Sequence, residues 1–87
     1  MTSTAVHSLL DLNKSTQTGV ITHVDASEQT ASELTDFGFI PGTSVSFFSK
    51  TPFSGPVAYY LRDSKVVIRR ADASKIKIRL VDAPHLV

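Results

Sequence analysis

Hydrophobic and polar positions alternate in short stretches of this chain, which is typical of strands with one buried face. Residues 75–80 alternate perfectly, so Ile76, Ile78 and Leu80 are expected to face inward and the cations between them to face solvent. The β-branched segment 20–24 is bounded by a glycine and by polar residues, as strands commonly are. The pattern predicts about five short strands, at 20–24, 44–50, 57–61, 66–68 and 75–80.

One short helix is predicted between the first two strands. Thr30 and Glu33 have the spacing of a capping box, in which each side chain accepts a hydrogen bond from the backbone N–H of the other residue. Gly38 has the position of a left-handed residue that ends a helix. Together these signals predict a helix over residues 31–37.

The segment around the helix end carries specific turn chemistry. If Gly38 ends the helix in a Schellman motif, Leu34 and Phe39 are the pair that packs together. Pro41 and Gly42 then occupy the two central positions of a predicted type II turn. Upstream of the first strand, residues 9–12 are expected to form a turn whose leucines enter the core.

A sheet of short strands in an 87-residue chain must protect its edges, and closure into a small barrel is the usual solution. We therefore expect a mainly β fold with one short helix, built as a small SH3-like β-barrel of about five strands. With no repeat and no linker, residues 1–87 are expected to form one domain whose core spans about 9–81. The apolar run 57–61 is far shorter than the roughly 18–20 residues of a membrane helix, and the N-terminus lacks a signal-peptide pattern.

Composition and charge narrow the function classes. The chain has no cysteine, which excludes a disulfide scaffold, a thiolate metal site and a cysteine nucleophile and favours a reducing, cytoplasmic setting. The formal net charge of +1 divides into −4 over residues 1–49 and +5 over residues 50–87. A basic half is compatible with nucleic-acid binding, but alternating strands also place lysine and arginine on a solvated face, and we favour the second interpretation.

Enzymatic chemistry has no recognisable motif in this chain. No nucleophile with a base and no pair of carboxylates stands at a familiar spacing. The glycines at 19, 38, 42 and 55 are isolated and each has a turn or strand-edge explanation, so none forms a phosphate-binding loop. We predict that the protein is not an enzyme.

Metal binding is restricted to histidine and carboxylate ligands. The three histidines, His7, His23 and His85, are far apart in sequence. A weak divalent transition-metal site built from His23 with Asp25 or Glu28 is conceivable, although a lone strand histidine is more often a surface residue. No resident cofactor is expected.

All seven aromatic residues lie in the central part of the chain, two of them in the adjacent pair Phe47 and Phe48 and two in the pair Tyr59 and Tyr60. Because neighbouring strand residues point to opposite faces, one member of each pair must point away from the main core. Either the helix covers these side chains or they form an exposed patch for a partner.

Three segments resemble the FeoA family, small cytoplasmic components of bacterial ferrous iron uptake. Residues 34–43 (LTDFGFIPGT) resemble the family's L-x-x-L-G-h-x-P-G-T core, where h is apolar. Residues 51–56 (TPFSGP) resemble its P-L-G-G-P loop, and residues 67–76 (VIRRADASKI) its a-L-R-x-x-E-A-x-x-I ending. The chain departs from the family at two turns, where residues 13–17 replace a common Pro-Gly and residues 63–64 replace a common glycine.

The resemblance implies an SH3-like domain that acts with FeoB, the membrane ferrous iron transporter with a cytosolic guanine-nucleotide-binding domain. On this basis we expect a non-enzymatic interaction module that binds the cytosolic domain of a FeoB-type transporter and reaches the membrane only through that partner. The alternative is a metal-sensing regulatory module that binds a divalent transition metal or a peptide, and nucleic-acid binding comes third. The expected contact or groove residues are Leu34, Phe37, Phe39, Ile40, Pro41, Phe53 and Pro56, with Gly38, Gly42 and Gly55 as structural turn residues.

Overall fold

The computed structural model describes residues 7–14, 16–53, 55–62 and 64–82, with the side chain of Asp82 excepted. It contains six strands, two α-helices and a 3-10 helix. In chain order these are β1 (His7–Ser8), the 3-10 helix (Leu9–Asp11), β2 (Gln17–Val24), α1 (Glu28–Asp36), β3 (Ser44–Lys50), β4 (Val57–Leu61), β5 (Ser64–Ile68), α2 (Arg70–Ala73) and β6 (Ile76–Asp82).

The six strands form one antiparallel sheet in the order β1-β6-β2-β3-β4-β5. The mainly β class is confirmed, but the sheet has one strand more than predicted and does not close, since no pairing joins β1 to β5 in the described ranges. Strand β1 was missed because two residues are too few to show a period, and only its pairing with Lys77 and Ile78 defines it.

A single cluster of buried hydrophobic side chains forms the core of the protein. Every strand except the two-residue β1 contributes to it, as do all three helical segments. Ile76 and Ile78 are fully buried and Leu80 packs against the cluster half-buried, which confirms the inward face predicted for the last strand.

The 3-10 helix and its flank anchor this core from the N-terminal side. Leu9 and Leu12 are fully buried, which confirms the predicted role of the leucines. The Tyr59 hydroxyl, buried in the same cluster, donates a hydrogen bond of 3.1 Å to the Leu9 carbonyl. Burial raises the pKa of Tyr59 to about 12, an effect that the nearby positive charge of Arg70 partly offsets.

Helix α1 begins earlier than predicted. Ser27 is its N-cap, and the Ser27 hydroxyl accepts a 3.2 Å hydrogen bond from the Thr30 N–H. The predicted capping box of Thr30 and Glu33 is therefore wrong, because Thr30 already lies in the first turn. A capping box does occur at Ser8 and Asp11, where it starts the 3-10 helix.

A second helix, α2, which was not predicted, lies between β5 and β6. It is a single turn, and its residue Asp72 forms an ion pair with Arg69, in which Asp72 Oδ2 lies 3.2 Å from Arg69 Nη2. The longest helix of the described ranges has nine residues. None of the helices in these ranges is long and apolar enough to cross a membrane.

A β-bulge in β3 separates the aromatic pairs. The β3–β4 register shifts between Phe47 and Ser49, so Phe48 is the extra residue. Phe47 stacks edge-on against buried Tyr59 at a ring distance of 6.2 Å. Phe48 and Tyr60 form a second edge-on pair, at 5.0 Å, and keep 42% and 40% of their surface exposed. One member of each pair thus faces outward, as predicted, and neither outward side chain is covered by a helix of the described ranges.

Candidate functional site

The C-terminal end of α1 has the predicted Schellman geometry. Gly38 has a φ of +111°. Its N–H donates to the Thr35 carbonyl at 2.9 Å, and the Phe39 N–H donates to the Leu34 carbonyl at 3.1 Å. Phe39 therefore turns back into the core and packs in the same buried cluster as Leu34.

The next four residues form the predicted type II turn. Gly42 has a φ of +92°, and the Thr43 N–H donates to the Ile40 carbonyl at 3.0 Å. Two further hydrogen bonds fix the turn to β2, because Gly42 donates to the Ile21 carbonyl at 2.7 Å and the Ile21 N–H donates to the Thr43 carbonyl at 3.0 Å. The segment 37–43 is thus held by backbone bonds at both of its ends.

This rigid segment leaves two large apolar side chains in solvent. Phe37 is 60% exposed and Ile40 is 47% exposed. They border a depression of about 380 Å³ that we call the helix-end groove, lined mainly by Phe37, Ile40, Leu61 and Arg62. Arg62 itself, at the start of the β4–β5 connection, has a φ of +57°, which is unusual for a residue other than glycine.

A second depression, of about 280 Å³, continues along α1 towards β5. Phe37 lines both depressions, and Val67 of β5, which is 63% exposed, lines the second. Strand β5 is the last strand of the sheet, so its outer backbone edge has no neighbouring strand among the described residues. Apolar side chains and a free strand edge therefore occur on the same side of the molecule.

The charges around these depressions are mixed. Glu33 and Asp72 line the second depression, and Arg69 lies beside them in its ion pair with Asp72. Arg62 lines the helix-end groove and has no ion pair among the described side chains. The acidic and basic halves of the sequence therefore meet here, where α1 faces β5.

Two of the residues expected to contact a partner belong to the core instead. Phe39 is fully buried and Leu34 is only 2% exposed. They support the turn from below, whereas Phe37, Ile40 and the exposed Pro41 form its outer surface. Hydrophobicity alone could not separate the two groups, because the Schellman ending sends one residue inward and the next outward.

The 51–56 loop does not join this surface. Thr51 donates both its N–H and its hydroxyl to the Pro56 carbonyl, at 3.2 and 3.0 Å, which closes the loop at the Lys50 and Val57 end of the β3–β4 hairpin. The helix-end groove lies at the other end, so about 15–20 Å of strand separates the two regions. The expected contact residues of the helix end and those of the loop, Phe53 and Pro56, therefore lie in two separate regions.

Within the loop, Phe53 is 98% exposed at a φ of +62°, and Pro56 is also exposed. Gly55 donates to the Pro52 carbonyl at 3.3 Å, and a Cβ on it would overlap the Thr51 side chain. Glycine is thus favoured at position 55 because a larger residue would crowd the Thr51 side chain within the loop.

The candidate metal ligands His23, Asp25 and Glu28 are exposed. Among the described residues no three His, Asp or Glu side chains come together as a group that could hold a metal ion. His85 lies outside the described residues. His23 Nδ1 instead lies 3.3 Å from the Thr22 hydroxyl, and His7 Nδ1 lies 3.4 Å from the Asp11 carboxylate.

Leu61, Arg62 and Val67 line the depressions but were missed at the sequence level. Residues 62–65 show only a polar reversal, and the position of that reversal beside the helix end depends on the pairing of β4 with β3. No local signal could have placed it there.

Comparison with known proteins gives consistent matches. The FeoA domain model matches residues 8–80. A Porphyromonas gingivalis protein described as an Fe(2+) transport protein A/Fe(2+) transporter FeoB fusion protein is 30% identical over 64 residues. The match covers 74% of this chain and 8% of that protein, so the chain corresponds to a small part of its length.

Solved structures agree on the fold. The FeoA-like protein from Clostridium acetobutylicum has a TM-score of 0.80 at 19% identity, with 98% of each chain covered. Stenotrophomonas maltophilia FeoA complexed with zinc, described as a prokaryotic SH3 domain protein, has a TM-score of 0.66 at 20% identity, covering 80% of this chain and 87% of that chain. The predicted SH3-like fold is confirmed.

Proposed function

This chain belongs to the FeoA domain family, whose members act in ferrous iron transport, and from that premise we propose that it is a non-enzymatic module that binds the cytosolic part of a FeoB-type transporter. The resemblance of its three sequence segments to that family is confirmed by the family match. The proposal places the protein in the cytoplasm, at the membrane only through its partner.

The helix-end groove is the observation that carries this proposal. Its two exposed apolar residues, Phe37 and Ile40, sit on a segment held by backbone hydrogen bonds, so little conformational entropy would be lost when a partner covers them. Aromatic side chains that become buried in a complex are frequent interface hot spots. Arg62 adds a cation at the rim that can pair with an acidic group of the partner.

The fusion protein gives independent support. In that Porphyromonas gingivalis protein, the region similar to this chain belongs to one polypeptide with FeoB. Linking two domains in one polypeptide raises the effective concentration of each near the other, and this strengthens the association of domains that bind each other. We extend this association with a FeoB-type transporter to the present chain.

The test is a binding titration with the purified cytosolic domain of the FeoB-type transporter of the same organism, with and without guanine nucleotide. Phe37→Asp is expected to weaken binding by about thirty-fold, the effect of losing a hot-spot side chain. Phe53→Asp is the matched control, because Phe53 is an equally large exposed aromatic residue at the other end of the hairpin.

Full binding by Phe37→Asp would overturn the assignment of the groove, and loss of binding only in Phe53→Asp would move the interface to the 51–56 loop. If the wild-type protein does not bind the domain in either nucleotide state, the proposed partnership itself is wrong. The melting temperature of each variant separates lost binding from lost folding.

A further inference from the structure

A third depression lies at the end of the β3–β4 hairpin opposite the helix-end groove. It has a volume of about 160 Å³ and is framed by the segment after the 3-10 helix, by β3 and β4, and by α2. Its polar lining consists of Asn13, Lys50, Tyr59 and Arg70. We call it the Arg70 pocket.

Arg70 lines this pocket, and part of its guanidinium group lacks a hydrogen-bond partner. Its Nε atom is buried and has no hydrogen-bond partner among the described residues. A buried donor on a cation that lacks a partner is unfavourable, by more than a neutral donor would be. The structure therefore holds a cationic group in a place where an acceptor would stabilise it.

The lining of the pocket supplies no anion to this cation. Lys50 is a second cation in the lining, and no carboxylate belongs to it. The two described carboxylates closest in sequence to lining residues have other partners, since Asp11 lies 3.4 Å from His7 and Asp72 lies 3.2 Å from Arg69. The electrostatic potential in the pocket is thus positive.

The remaining walls are apolar. Leu10, Leu12, Val57 and the ring of Phe47 line the pocket beside the two cations. An apolar cavity of about 150 Å³ is large enough to hold benzene, so this volume admits roughly six non-hydrogen atoms. An occupant that satisfies both kinds of wall has one anionic end and a short apolar stem.

We propose that the Arg70 pocket binds a small free carboxylate with a short aliphatic stem. The planar guanidinium group of Arg70 matches the two carboxylate oxygens, Lys50 adds a second positive charge, and the leucine side chains cover the stem. A carboxylate fits this lining better than phosphate does, because phosphate has no apolar stem to bury against the leucine, valine and phenylalanine side chains. The site is separate from the helix-end groove and does not depend on the transporter.

The test is a titration of ¹⁵N-labelled protein with sodium propionate at constant ionic strength, with sodium chloride as the balancing salt. We expect saturable chemical-shift changes at Asn13, Tyr59 and Arg70, including the Arg70 Nε–H resonance. Sodium phosphate is expected to bind at least about ten-fold more weakly. Changes that never saturate, or that spread evenly over the surface lysines, would overturn the proposal.

Matched variants locate the site. Arg70→Met is expected to weaken propionate binding by at least about ten-fold, the effect of losing a charged hydrogen-bond partner. Arg79→Met removes the same charge from the exposed face of β6 and is expected to leave binding unchanged. If Arg70→Met does not fold, Lys50→Met provides a second test, with an expected weakening of about three-fold or more.

The outcomes are distinct. Equal loss in Arg70→Met and Arg79→Met would show binding by net charge alone, and equal affinity for propionate and phosphate would contradict the carboxylate assignment. Phe37→Asp should leave propionate binding unchanged, so a failure of the transporter proposal is distinguishable from a failure of this one.

Discussion

Replacement of Gly38 by alanine tests the geometry that positions the helix-end groove. At a φ of +111°, an L-residue is strained by about 1–3 kcal/mol. The added Cβ would lie 3.3 Å from Cδ1 of Leu61, a buried residue that must move by a few tenths of an ångström. Alanine also lowers the conformational entropy of the unfolded chain relative to glycine, which stabilises the folded protein by about 0.4–1 kcal/mol. The strain minus this gain is about 0–2.6 kcal/mol, and the crowding of Leu61 adds to it, so we expect a net loss in the free energy of unfolding of about 1–3 kcal/mol.

Gly42→Ala is the control for this substitution. Gly42 also has a positive φ, of +92°, but a Cβ there would meet no atom within 4 Å. Gly42→Ala should therefore show the backbone strain without the Leu61 contact and should lose less stability than Gly38→Ala.

The assay is thermal unfolding followed by circular dichroism, in which a domain of this size loses about 4–8 °C per kcal/mol. We expect Gly38→Ala to lower the melting temperature by about 5–20 °C. A melting temperature within about 1 °C of the wild-type value would refute the left-handed Schellman ending. A larger loss in Gly42→Ala than in Gly38→Ala would refute the role of the Leu61 contact.

Two further predictions concern the start of α1 and the buried tyrosine. Ser27→Ala should lower the free energy of unfolding by about 1 kcal/mol in urea titrations, whereas Thr30→Ala should cost less, and the reverse order would restore the capping box at Thr30. The pKa of Tyr59 is about 12 in the folded protein, against 10.0 for the free side chain. Above pH 10 the unfolded state therefore loses the phenol proton before the folded state does. The free energy of unfolding should then fall as the pH rises towards about 12. Tyr59→Phe should remove most of this alkaline decline while losing the hydrogen bond to Leu9, and an unchanged decline in urea titrations at about pH 9 to 11.5 would contradict the assignment.

The features that sequence could predict are those governed by local chemistry. The Schellman ending at Gly38 and the type II turn at Pro41 and Gly42 are decided within four to six consecutive residues, and the structure has both. The inward face of the last strand likewise follows from side-chain alternation in residues 75–80. Local rules apply to the two turns because their defining hydrogen bonds join residues three to five positions apart, and to the strand because side-chain alternation follows from the extended backbone itself.

The missed features depend on partners that are distant in sequence. Strand β1 exists only because β6 pairs with it. The start of α1 is the exception, because it depends on a local choice between two capping residues three positions apart, Ser27 and Thr30. The sheet was expected to close, yet its edge strands β1 and β5 remain apart in the described structure. The Arg70 pocket joins Asn13 to Lys50 and Arg70, a grouping that no spacing along the chain reveals.

The pairing of β2 with β6 also has a consequence for folding kinetics. Strands β3, β4 and β5 follow one another along the chain and pair with their immediate neighbours, so this meander can form by closing short loops. Residues 17–24 must instead find residues 76–82 across nearly the whole chain. We expect the meander to form early and the β2–β6 ladder late, so the rate of folding is set by the step that joins the two ends of the polypeptide.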